Sequence, residues 1–468
     1  MKFRQTLAIT ISKLTISVLH LLKRGGTTLP GKVAFKLYPG ILRAIASDFE
    51  IIMVTGTNGK TTTTRVIEEI LKNNNVDYIT NKSGANLLSG VTTTFIRAVT
   101  LSGRPKHKVA LIESDEAAFN QVTKHLQPKA VVVTNFFRDQ LDRYGELYST
   151  LNAVKAGLER IGDDTVLVLN ADDSICASLG RETGKRVLYY GIGKDACQDN
   201  SGDINTDAMF CINCKSKYEY TNHIYGHLGG FYCTNCGYSR PAADLECTSI
   251  EEAGSSYTTI NWKCSSALLD KDGTTFTTKI NLPGLYNVYN AMAAATCGLA
   301  LNYGPETVTC ALQSFESGFG RMETINVNNK TIKLILVKNP TGFNQVLSFL
   351  SLDNRNLNIA FLINDNLADG TDISWLWDVD FEQLNKVSGK IDNLITSGLR
   401  GEDMAVRLKY SGLDTRKIRI IKDYQLLIDE GLKKTPDQGC FYLLPTYTAM
   451  LEIRSILKKK FNLKEFWK

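Results

Sequence analysis

The stretch MVTGTNGKTTTTRV, residues 53–66, reads as an apolar strand that runs through a glycine turn into a helix. A strand, a glycine-rich turn, a lysine and a threonine in this order are typical of a loop that binds phosphate groups through backbone N–H groups and the positive end of a helix. In the usual spacing the first glycine would stand at Val54, whereas this chain has Gly56 and Gly59. The sequence therefore predicts a variant phosphate-binding loop.

The residues of the predicted loop are Gly56, Thr57, Asn58, Gly59, Lys60, Thr61 and Thr62. From its position, Lys60 is expected to reach the β- and γ-phosphates of a nucleotide, and the Thr61 hydroxyl is expected to bind magnesium. A glycine turn that precedes a lysine by chance is the alternative interpretation. The strand before the loop and the helical pattern after it favour phosphate binding.

Apolar, β-branched runs alternate with helix-like segments along the first part of the chain. The runs IIMVTG, KVALIESD, AVVVTNF and TVLVLNADD each end in polar residues. This pattern predicts an α/β fold with a doubly wound parallel sheet, which binds its ligands at the carboxyl ends of the strands. The chain of 468 residues is long enough for two or three domains, and its net charge of +6 does not by itself indicate a nucleic-acid partner.

Polar residues at the ends of these strands are candidates for the site. Glu113 and Asp115 close the second run, where a hard cation needs carboxylate oxygens, although acidic residues at strand ends are also common without a metal. Asn170 and Asp172 close the fourth run and suit hydrogen bonds to a nucleotide ribose or base. These side chains are expected to meet at one edge of the sheet.

Two Cys-x-x-Cys pairs flank a segment of eighteen residues. They are Cys211 with Cys214 and Cys233 with Cys236. This is the spacing of a structural zinc site, in which four thiolates complete a closed tetrahedral shell. Zinc would supply roughly 10–16 kcal/mol of apparent binding free energy to a ribbon that has little apolar core of its own.

The first 47 residues contain no Asp or Glu, and an apolar stripe recurs there at helical spacing. The stripe consists of Leu7, Ile11, Leu14, Val18 and Leu21. Lys13 interrupts the apolar stretch, and a lysine near the centre of a bilayer costs about 2.5–3.5 kcal/mol, so the segment is not expected to span a membrane. Two interpretations remain: a helix packed on the next domain, or a basic amphipathic helix on anionic lipid.

Taken together, these motifs resemble the Mur ligase family. GTNGKTT is that family's form of the loop, and TNFFRDQLDRYGE, NADD, LPGLYNVYNAMAAA and GFGRMETI follow in the family's order. The resemblance implies that ATP converts a carboxylate into an acyl phosphate, which an amine then attacks. It also implies that Glu113 binds magnesium, that Asn287 and Asn290 face the nucleotide, and that Arg321 reaches phosphate.

The chain departs from the family pattern at two positions. Gln140 stands where the family has a metal-binding histidine, and Tyr286 stands where the family's asparagine motif has a histidine. Lys155 lies at the spacing from Gln140 at which many Mur ligases carry a carbamylated lysine; the alternative is an ordinary exposed helical lysine. The number of magnesium ions is therefore left open.

The region from Lys330 onward carries five further strand-like runs, which predict a second, Rossmann-like α/β domain. Its segments VKNPTGFNQVL and NDNLADGTDISWLWDVDFE, with the cysteine ribbon and RGGTTLPGKVA, resemble the MurT branch of the family. Ordinary Mur ligases lack the ribbon. We predict an N-terminal basic helical segment at residues 1–45, a central ATP-binding domain at 46–325 with the ribbon at about 205–242, and a C-terminal domain at 326–468 that contacts a partner.

The MurT resemblance implies an ATP-dependent amidation of the α-carboxylate of D-glutamate in the lipid II stem peptide. Ammonia would come from a separate partner subunit, a class I glutaminase of the GatD type. The resemblance implies that this partner supplies a catalytic Cys and His and that Asp372 supplies the third catalytic group. A helix cap is the alternative role of Asp372. The implied cofactors are ATP, Mg²⁺ and structural Zn²⁺. The implied location is cytoplasmic, either free or peripheral at the inner face of the cell membrane. Nucleic acid is not an expected partner.

Two other functions are compatible with these motifs. One is an amino-acid-adding ligase of the Mur or folylpolyglutamate type, and the other is a nucleotide-binding adaptor without its own ligation chemistry. Only the amidation requires glutamine or ammonia as its nitrogen donor, and only the adaptor would lack ATP turnover stimulated by lipid II and ammonia.

Overall fold

The computed structural model describes residues 2–22, 26–81, 84–138, 146–196, 206–253, 257–269, 273–315 and 321–463. Within these residues the chain forms two large sheets, each covered by helices on both faces, and one small two-stranded sheet. The fold-class prediction is confirmed, because both large sheets are mostly parallel and belong to an α/β architecture.

The first sheet has the strand order β11-β10-β9-β6-β5-β4-β1-β3-β2 in the described residues. Its strands are β1 Glu50–Thr55, β2 Tyr78–Thr80, β3 Val109–Glu113, β4 Ala130–Val133, β5 Val166–Asn170, β6 Val187–Ile192, β9 Leu245–Ala253, β10 Thr258–Cys264 and β11 Thr274–Ile280. The pairs from β9 through β2 are parallel, whereas β10 pairs antiparallel with both its neighbours. The four runs of the sequence that predicted parallel strands are β1, β3, β4 and β5.

Helices cover the first sheet on both faces. They are α1 Lys2–Leu21, α2 Leu29–Leu37, α3 Ile41–Ala46, α4 Lys60–Asn73, α5 Leu88–Ala98, α6 Glu116–Thr123, α7 Glu146–Leu158, α8 Ser174–Glu182, α9 Leu285–Ala300 and α10 Pro305–Ser314. Alternate residues of β1 point to opposite faces: Ile52 and Val54 join the core with α4 and α9, and Ile51 and Met53 join the core with α5 and α6. Burial on both faces explains why β1 has no polar alternation.

The second sheet has the order β12-β13-β17-β14-β15-β16. Its strands are β12 Arg321–Val327, β13 Lys330–Ile335, β14 Leu357–Leu362, β15 Ile391–Ser397, β16 Ile418–Ile420 and β17 Cys440–Pro445. All its pairs except the β12–β13 hairpin are parallel. Its helices are α11 Pro340–Leu352, α12 Gly401–Tyr410, α13 Tyr424–Lys434 and α14 Tyr447–Phe461. The domain boundaries drawn from the sequence stay a prediction.

The small sheet is the antiparallel hairpin of β7 Glu219–Tyr225 and β8 Leu228–Tyr232, which lies between the two cysteine pairs. Tyr218, Phe231 and Tyr238 form its apolar cluster with Ala177 of α8. The Tyr238 hydroxyl also donates to the Ser174 carbonyl at 2.6 Å. The ribbon is therefore seated on α8 rather than projecting from the domain.

Helix α1 packs on α2 and α5 through a face that includes Ala8, Ile9 and Ser12, all fully buried. The stripe read from the sequence points the other way, since Leu14 is 59% exposed and Leu21 is 83% exposed. The helix is therefore packed, but not through the stripe. Among the described residues, no helix combines the length and the apolarity that crossing a membrane requires.

Candidate active site

Two glycines give the phosphate-binding loop its shape. Gly56 and Gly59 adopt φ values of +118° and +84°, which side-chain-bearing residues rarely adopt. A Cβ atom would also lie 2.3 Å from Thr134 Oγ1 at the first position, and 2.0 Å from Asn290 Oδ1 at the second. Glycine is thus required at both positions by backbone conformation and by space. Helix α4 begins immediately after the second glycine, so its N-terminus points into the loop.

The residues that follow β4 hold the loop in place. The Thr57 N–H donates to the Asn135 carbonyl at 2.8 Å, and the Asn58 N–H donates to Asn135 Oδ1 at 2.9 Å. The Thr134 hydroxyl donates to the Asn58 carbonyl at 2.7 Å. The Thr-Asn pair that opens the TNFFRDQLDRYGE motif therefore supports the phosphate-binding loop.

Lys60 lies folded back over the loop. Its ammonium group is 2.9 Å from a Glu116 carboxylate oxygen and also donates to the carbonyls of Gly56 and Thr57. Burial alone would lower the pKa of Lys60, but the attraction of Glu116, with smaller contributions from Glu113 and Asp115, raises it above the usual value. Lys60 is therefore a fixed cation at neutral pH, as binding of a triphosphate requires.

A cavity of about 240 Å³ opens beside Lys60, and we call it the phosphate cavity. The part of the chain that carries the first sheet lines it with Thr57, Gly59, Lys60, Thr61, Gly84, Asn86, Glu113 and Asp115. The part that carries the second sheet lines it with Leu336, Lys338, Ala368, Asp369, Thr446 and Tyr447. The sequence-predicted residues Lys60, Thr61 and Glu113 are thus brought together, opposite residues that the sequence did not assign to the site.

The oxygen ligands available in the phosphate cavity fit a magnesium ion. The carboxylate of Glu113 and the hydroxyl of Thr61 are the hard donors that Mg²⁺ takes together with phosphate oxygens and water. Asp115 has another task, because its Oδ1 accepts the N–H groups of Ala117 and Ala118 at the start of α6. Of the two acids at the end of β3, Glu113 is therefore the better candidate ligand.

A second cavity lies on the other side of the loop, and we call it the base cavity. Its lining includes Asn58, Gly59, Thr62, Phe137, Tyr225, Tyr286, Asn287, Asn290, Met322, Asn339 and Gln345. The amide of Asn290 donates to Asn287 Oδ1 at 3.2 Å, so the two predicted asparagines form a pair at the start of α9. Three aromatic rings and a methionine give this cavity an apolar wall suited to a nucleotide base.

Asn170 and Asp172 do not line either cavity. Both are fully buried. The Asn170 amide donates to the Thr134 carbonyl at 3.2 Å, and the Asp172 carboxylate accepts from Arg240, Tyr289 and the Ile192 N–H at 2.5–2.7 Å. The structure thus gives these two residues a supporting position behind the loop. Their predicted hydrogen bonds to a nucleotide stay a prediction.

The structure describes three further residues singled out in the sequence to different extents. Gln140 lies outside the described residues. Arg321 begins β12, but its side chain lies outside what the structure describes. Lys155 lies in α7 and is partly buried. The predictions for these positions remain predictions.

An asparagine pair joins the C-terminal part of the chain to the phosphate-binding loop. The Asn339 amide donates to Asn58 Oδ1 at 2.9 Å, while Asn339 Oδ1 accepts the Gly342 N–H and caps α11. The C-terminal part of the chain therefore contacts the phosphate-binding loop directly. Sequence reasoning missed Asn339, Lys338 and Glu116, although an asparagine before Pro340 was a visible helix-start signal.

Asp372 lies just before the short helix Ser374–Trp377. Its carboxylate accepts the Ser374 N–H at 2.8 Å and the Ser374 hydroxyl at 2.8 Å. It is partly exposed, and Trp377 at the end of the same helix is 55% exposed. Asp372 thus bonds to the first residue of the short helix from the position before its N-cap, Ile373, and a role in a partner's site stays a prediction.

The four cysteines converge at one point. Their sulfur atoms all lie within 4.8 Å of one another, with Cys214 and Cys233 at 3.4 Å and Cys211 and Cys236 at 3.5 Å. Four thiolates at about 2.3 Å from a tetrahedral Zn²⁺ would be separated by about 3.8 Å, so the cluster fits this metal.

The two halves of the cluster share one backbone conformation. The residues that follow the second cysteine of each pair, Lys215 and Gly237, both adopt positive φ values, +61° and +73°. Their N–H groups donate to the carbonyls of Cys211 and Cys233 respectively. This repeated turn aims both thiols of each pair toward the same side, as a shared metal ion requires.

Comparison with known proteins shows which family the chain belongs to. The model described as Mur ligase middle domain matches residues 54–236, and the model described as MurT ligase C-terminal matches residues 336–450. The MurT subunit of lipid II isoglutaminyl synthase (glutamine-hydrolyzing) from Streptococcus pneumoniae is 34% identical over 98% of both chains. This chain belongs to the MurT family. The MurT subunit from Staphylococcus aureus is also 34% identical, over 98% of this chain and 99% of its own.

Solved structures share the fold of this MurT family member. MurF from Acinetobacter baumannii has a TM-score of 0.66 at 17% identity and covers 92% of this chain and 80% of its own. Folylpolyglutamate synthase from Mycobacterium tuberculosis, solved with ADP and AMPPCP, has a TM-score of 0.61 at 13% identity over 96% and 98% of the two chains. At these identities the similarity concerns the fold alone. The sequence-based interpretation of the chain as MurT-like is confirmed.

Proposed function

We propose that this chain is the ATP-dependent synthetase subunit of a lipid II isoglutaminyl synthase. It would amidate the α-carboxylate of D-glutamate in the lipid II stem peptide, giving D-isoglutamine for peptidoglycan biosynthesis. The observation that carries the proposal is the similarity over nearly the whole chain to subunits of that name. The phosphate cavity supports the proposal, because residues of the phosphate-binding loop and of the C-terminal part that matches the MurT model both line this cavity.

The reaction has two steps. A carboxylate oxygen of the substrate attacks the γ-phosphorus of ATP, which forms an acyl phosphate and releases ADP. Ammonia then attacks the acyl carbon, the bond from that carbon to the phosphate oxygen breaks, phosphate leaves with the electron pair, and the nitrogen loses a proton. The net products are the amide, ADP and phosphate.

The chain's own residues serve the first step by positioning and charge. The backbone N–H groups of the loop and the Lys60 ammonium would hold the β- and γ-phosphates, and phosphoryl transfer depends mainly on such placement. Thr61 and Glu113 would hold magnesium, which supplies charge neutralisation at the transferring phosphoryl group. Lys338 lines the same cavity from the C-terminal part of the chain and would place a cation near the substrate carboxylate.

A partner subunit supplies the ammonia in this proposal, and we infer that it is a class I glutaminase of the GatD type. The surface beside Asp372 supports a docking site. Trp377 and Tyr410 are 55% and 71% exposed, their rings lie 5.8 Å apart, and the Arg407 guanidinium lies 5.4 Å from the Trp377 ring. Exposed Trp and Tyr rings, here above a buried arginine, are typical of protein–protein hot spots.

The exposed stripe of α1 supports a location at the inner surface of the membrane, where a lipid-linked substrate resides. Phe3, Leu14, Val18 and Leu21 are all more than half exposed, while the opposite face of the helix is packed. The first 47 residues have no acidic side chain, and the exposed bases around the stripe include Arg4. An apolar stripe with a basic surround complements an anionic lipid surface.

The proposal is tested by incubating the chain with ATP, magnesium and lipid II, and with either ammonium or glutamine plus the partner glutaminase. Mass spectrometry should then show that an amide NH₂ has replaced one carboxyl OH of lipid II, with stoichiometric ADP. An amino-acid-adding ligase would instead add the mass of an amino acid. A nucleotide-binding adaptor would give no ADP and no change in lipid II.

A further inference from the structure

The hairpin between the two cysteine pairs reaches the base cavity. Tyr225, the last residue of β7, is 5% exposed and lines that cavity together with Phe137 and Tyr286. Its ring lies parallel to that of Phe137, at 13° and 6.1 Å between centroids. Its edge meets Tyr289 of α9 at 5.8 Å. The tip of the ribbon is thus part of the cavity wall.

The hairpin connects the base cavity to the cysteine cluster without an interruption. Strand β8 starts at Leu228, close to the tip, and ends one residue before Cys233. Five residues of β-strand span roughly 16 Å, so the cluster and the base cavity lie at opposite ends of one short two-stranded unit. The turns at the cysteine end therefore help to hold the hairpin in one conformation, and with it they help to fix the position of Tyr225.

Asp172 connects the hairpin to α9. Its backbone carbonyl accepts the Gly229 N–H at 3.0 Å, and its carboxylate accepts from Arg240 at 2.5 Å and from the Tyr289 hydroxyl at 2.7 Å. Gly229 and Arg240 flank the second cysteine pair, while Tyr289 belongs to α9 with Asn287 and Asn290. One buried carboxylate therefore fixes the position of the ribbon relative to α9.

His227 completes the support of the tip. It is 2% exposed, and its ring lies 4.6 Å from that of Phe137. The Phe137 N–H donates to the Thr57 hydroxyl at 3.2 Å. The ribbon tip therefore packs against a residue that is hydrogen-bonded to the phosphate-binding loop. The contacts of the tip are thus directed into the nucleotide site and not into solvent.

We propose that the cysteine ribbon is a functional part of the nucleotide site, in which Tyr225 provides an aromatic wall for the adenine base. Metal binding at the four thiolates then sets nucleotide affinity by ordering the hairpin that carries Tyr225. Aromatic side chains recognise bases by stacking, which suits a ring that lines an apolar cavity beside the phosphate-binding loop. This inference rests on the proposed use of ATP and assigns the ribbon a role beyond stability.

The test compares two probes that share phosphates but not the base. Binding of Mg²⁺–AMPPCP and of inorganic tripolyphosphate to the full chain is measured by calorimetry for the wild type, Tyr225→Ala, Tyr225→Leu and Tyr225→Phe. Loss of stacking should weaken AMPPCP binding about 5- to 150-fold in the Ala variant. The Leu variant, which keeps apolar bulk in case the Ala variant does not fold, should also lose affinity. The Phe variant should bind like the wild type, and tripolyphosphate binding should not change.

Tyr232→Ala is the matched control, because Tyr232 lies on the same hairpin and its hydroxyl donates to Glu219 on the exposed side. It should bind both probes normally. Wild-type AMPPCP affinity in folded Tyr225→Leu and Tyr225→Ala would overturn the proposal, as would an equal loss for tripolyphosphate. Failure of the wild type to bind AMPPCP at all would instead contradict the proposed function.

Removal of the metal tests the coupling. Zinc content and the affinity for both probes are measured on the full chain during titration with a zinc chelator. Affinity for AMPPCP should fall in step with zinc content, while tripolyphosphate remains bound. Unchanged AMPPCP affinity in zinc-free protein would overturn the coupling. A parallel loss of tripolyphosphate binding would also overturn it, because the metal would then maintain the whole domain and not the base cavity.

Discussion

The ammonium group of Lys60 lies 2.9 Å from the carboxylate of Glu116, so the loop lysine is held by an acid of the neighbouring helix and by two loop carbonyls. Both side chains are about one-tenth exposed, which limits screening by solvent. A triphosphate must compete with this arrangement when it binds. The ion pair therefore keeps the lysine charged and close to the place where phosphate oxygens would lie.

Lys60→Ala should abolish amidation with ammonium as well as with glutamine. Phosphoryl transfer depends on positioning and on neutralisation of charge, and both nitrogen sources need the acyl phosphate. ADP release and the lipid II mass are the measurements. Glu116→Gln, which removes the ion pair but keeps the lysine, is the control and should retain far more activity. Normal amidation by Lys60→Ala would remove Lys60 from the phosphate site.

Asp372→Asn separates the two half-reactions. If Asp372 orients a histidine of the partner glutaminase, the variant should lose glutamine-dependent activity severely. The analogous substitution in a serine protease lowers the catalytic constant about 10⁴-fold. Amidation with ammonium should persist, because the phosphate-binding loop lies in another part of the chain. Both assays are run with the partner present.

The alternative role of Asp372 gives a different result in the same assays. Asparagine is about as good a helix cap as aspartate, so a residue that only caps Ser374–Trp377 would leave glutamine-dependent activity nearly unchanged. A parallel fall of both activities would assign Asp372 to the synthetase reaction or to the fold.

Cys233→Ser should reduce the zinc content from about one equivalent per chain and lower the yield of folded protein, because a closed four-thiolate site contributes folding free energy. Elemental analysis and thermal unfolding measure these effects. Cys297→Ser, at a buried cysteine of α9 outside the cluster, is the control for the loss of a thiol and should keep its zinc. A zinc-free Cys233→Ser protein with wild-type stability would contradict a structural metal.

The exposed stripe of α1 predicts binding to anionic vesicles that weakens as salt is added, because exposed charges are screened over about 8–10 Å at physiological ionic strength. Replacing Leu14 and Leu21 by glutamine should weaken vesicle binding by roughly tenfold or more for each residue that enters the bilayer. Leu426→Gln, at an exposed leucine of α13, is the matched control. Vesicle co-sedimentation measures the effect, and absence of binding at low salt would leave α1 with its packing role alone.

Asp353→Asn should destabilise the C-terminal part of the chain in a pH-dependent way. Burial alone would raise the pKa of Asp353, but Arg355, at 2.7 Å, and the Tyr442 hydroxyl lower the pKa to about 2. The folded pKa is thus below the unfolded value, so the stabilisation is complete above about pH 4 and is lost as the pH falls toward 2. Urea unfolding should show a loss of about 2 kcal/mol at pH 7 and a much smaller one near pH 2. An equal loss at both pH values would assign the effect to packing.

Local patterns determined most of the fold and part of the site. Apolar runs at β1, β3, β4 and β5 predicted parallel strands because burial on both faces removes polar alternation. Gly56 and Gly59 predicted the loop, because only glycine tolerates its backbone conformation. The cysteine spacing predicted one four-sulfur cluster, since each pair is a local turn. All these signals act over a few residues, and a sequence displays them directly.

Contacts between distant segments were decided only by the tertiary structure. The stripe of α1 was visible, but its outward direction depends on which face α2 and α5 cover. Asp172 was predicted to suit hydrogen bonds to a nucleotide, which stays a prediction. The packing of Arg240 and Tyr289 around its carboxylate could not be predicted from the sequence. Tyr225 and Asn339 reach the base cavity from far along the chain, and no local pattern encodes such a meeting. Sequence thus determines what each segment can form, and packing of the segments determines which side chains share a cavity.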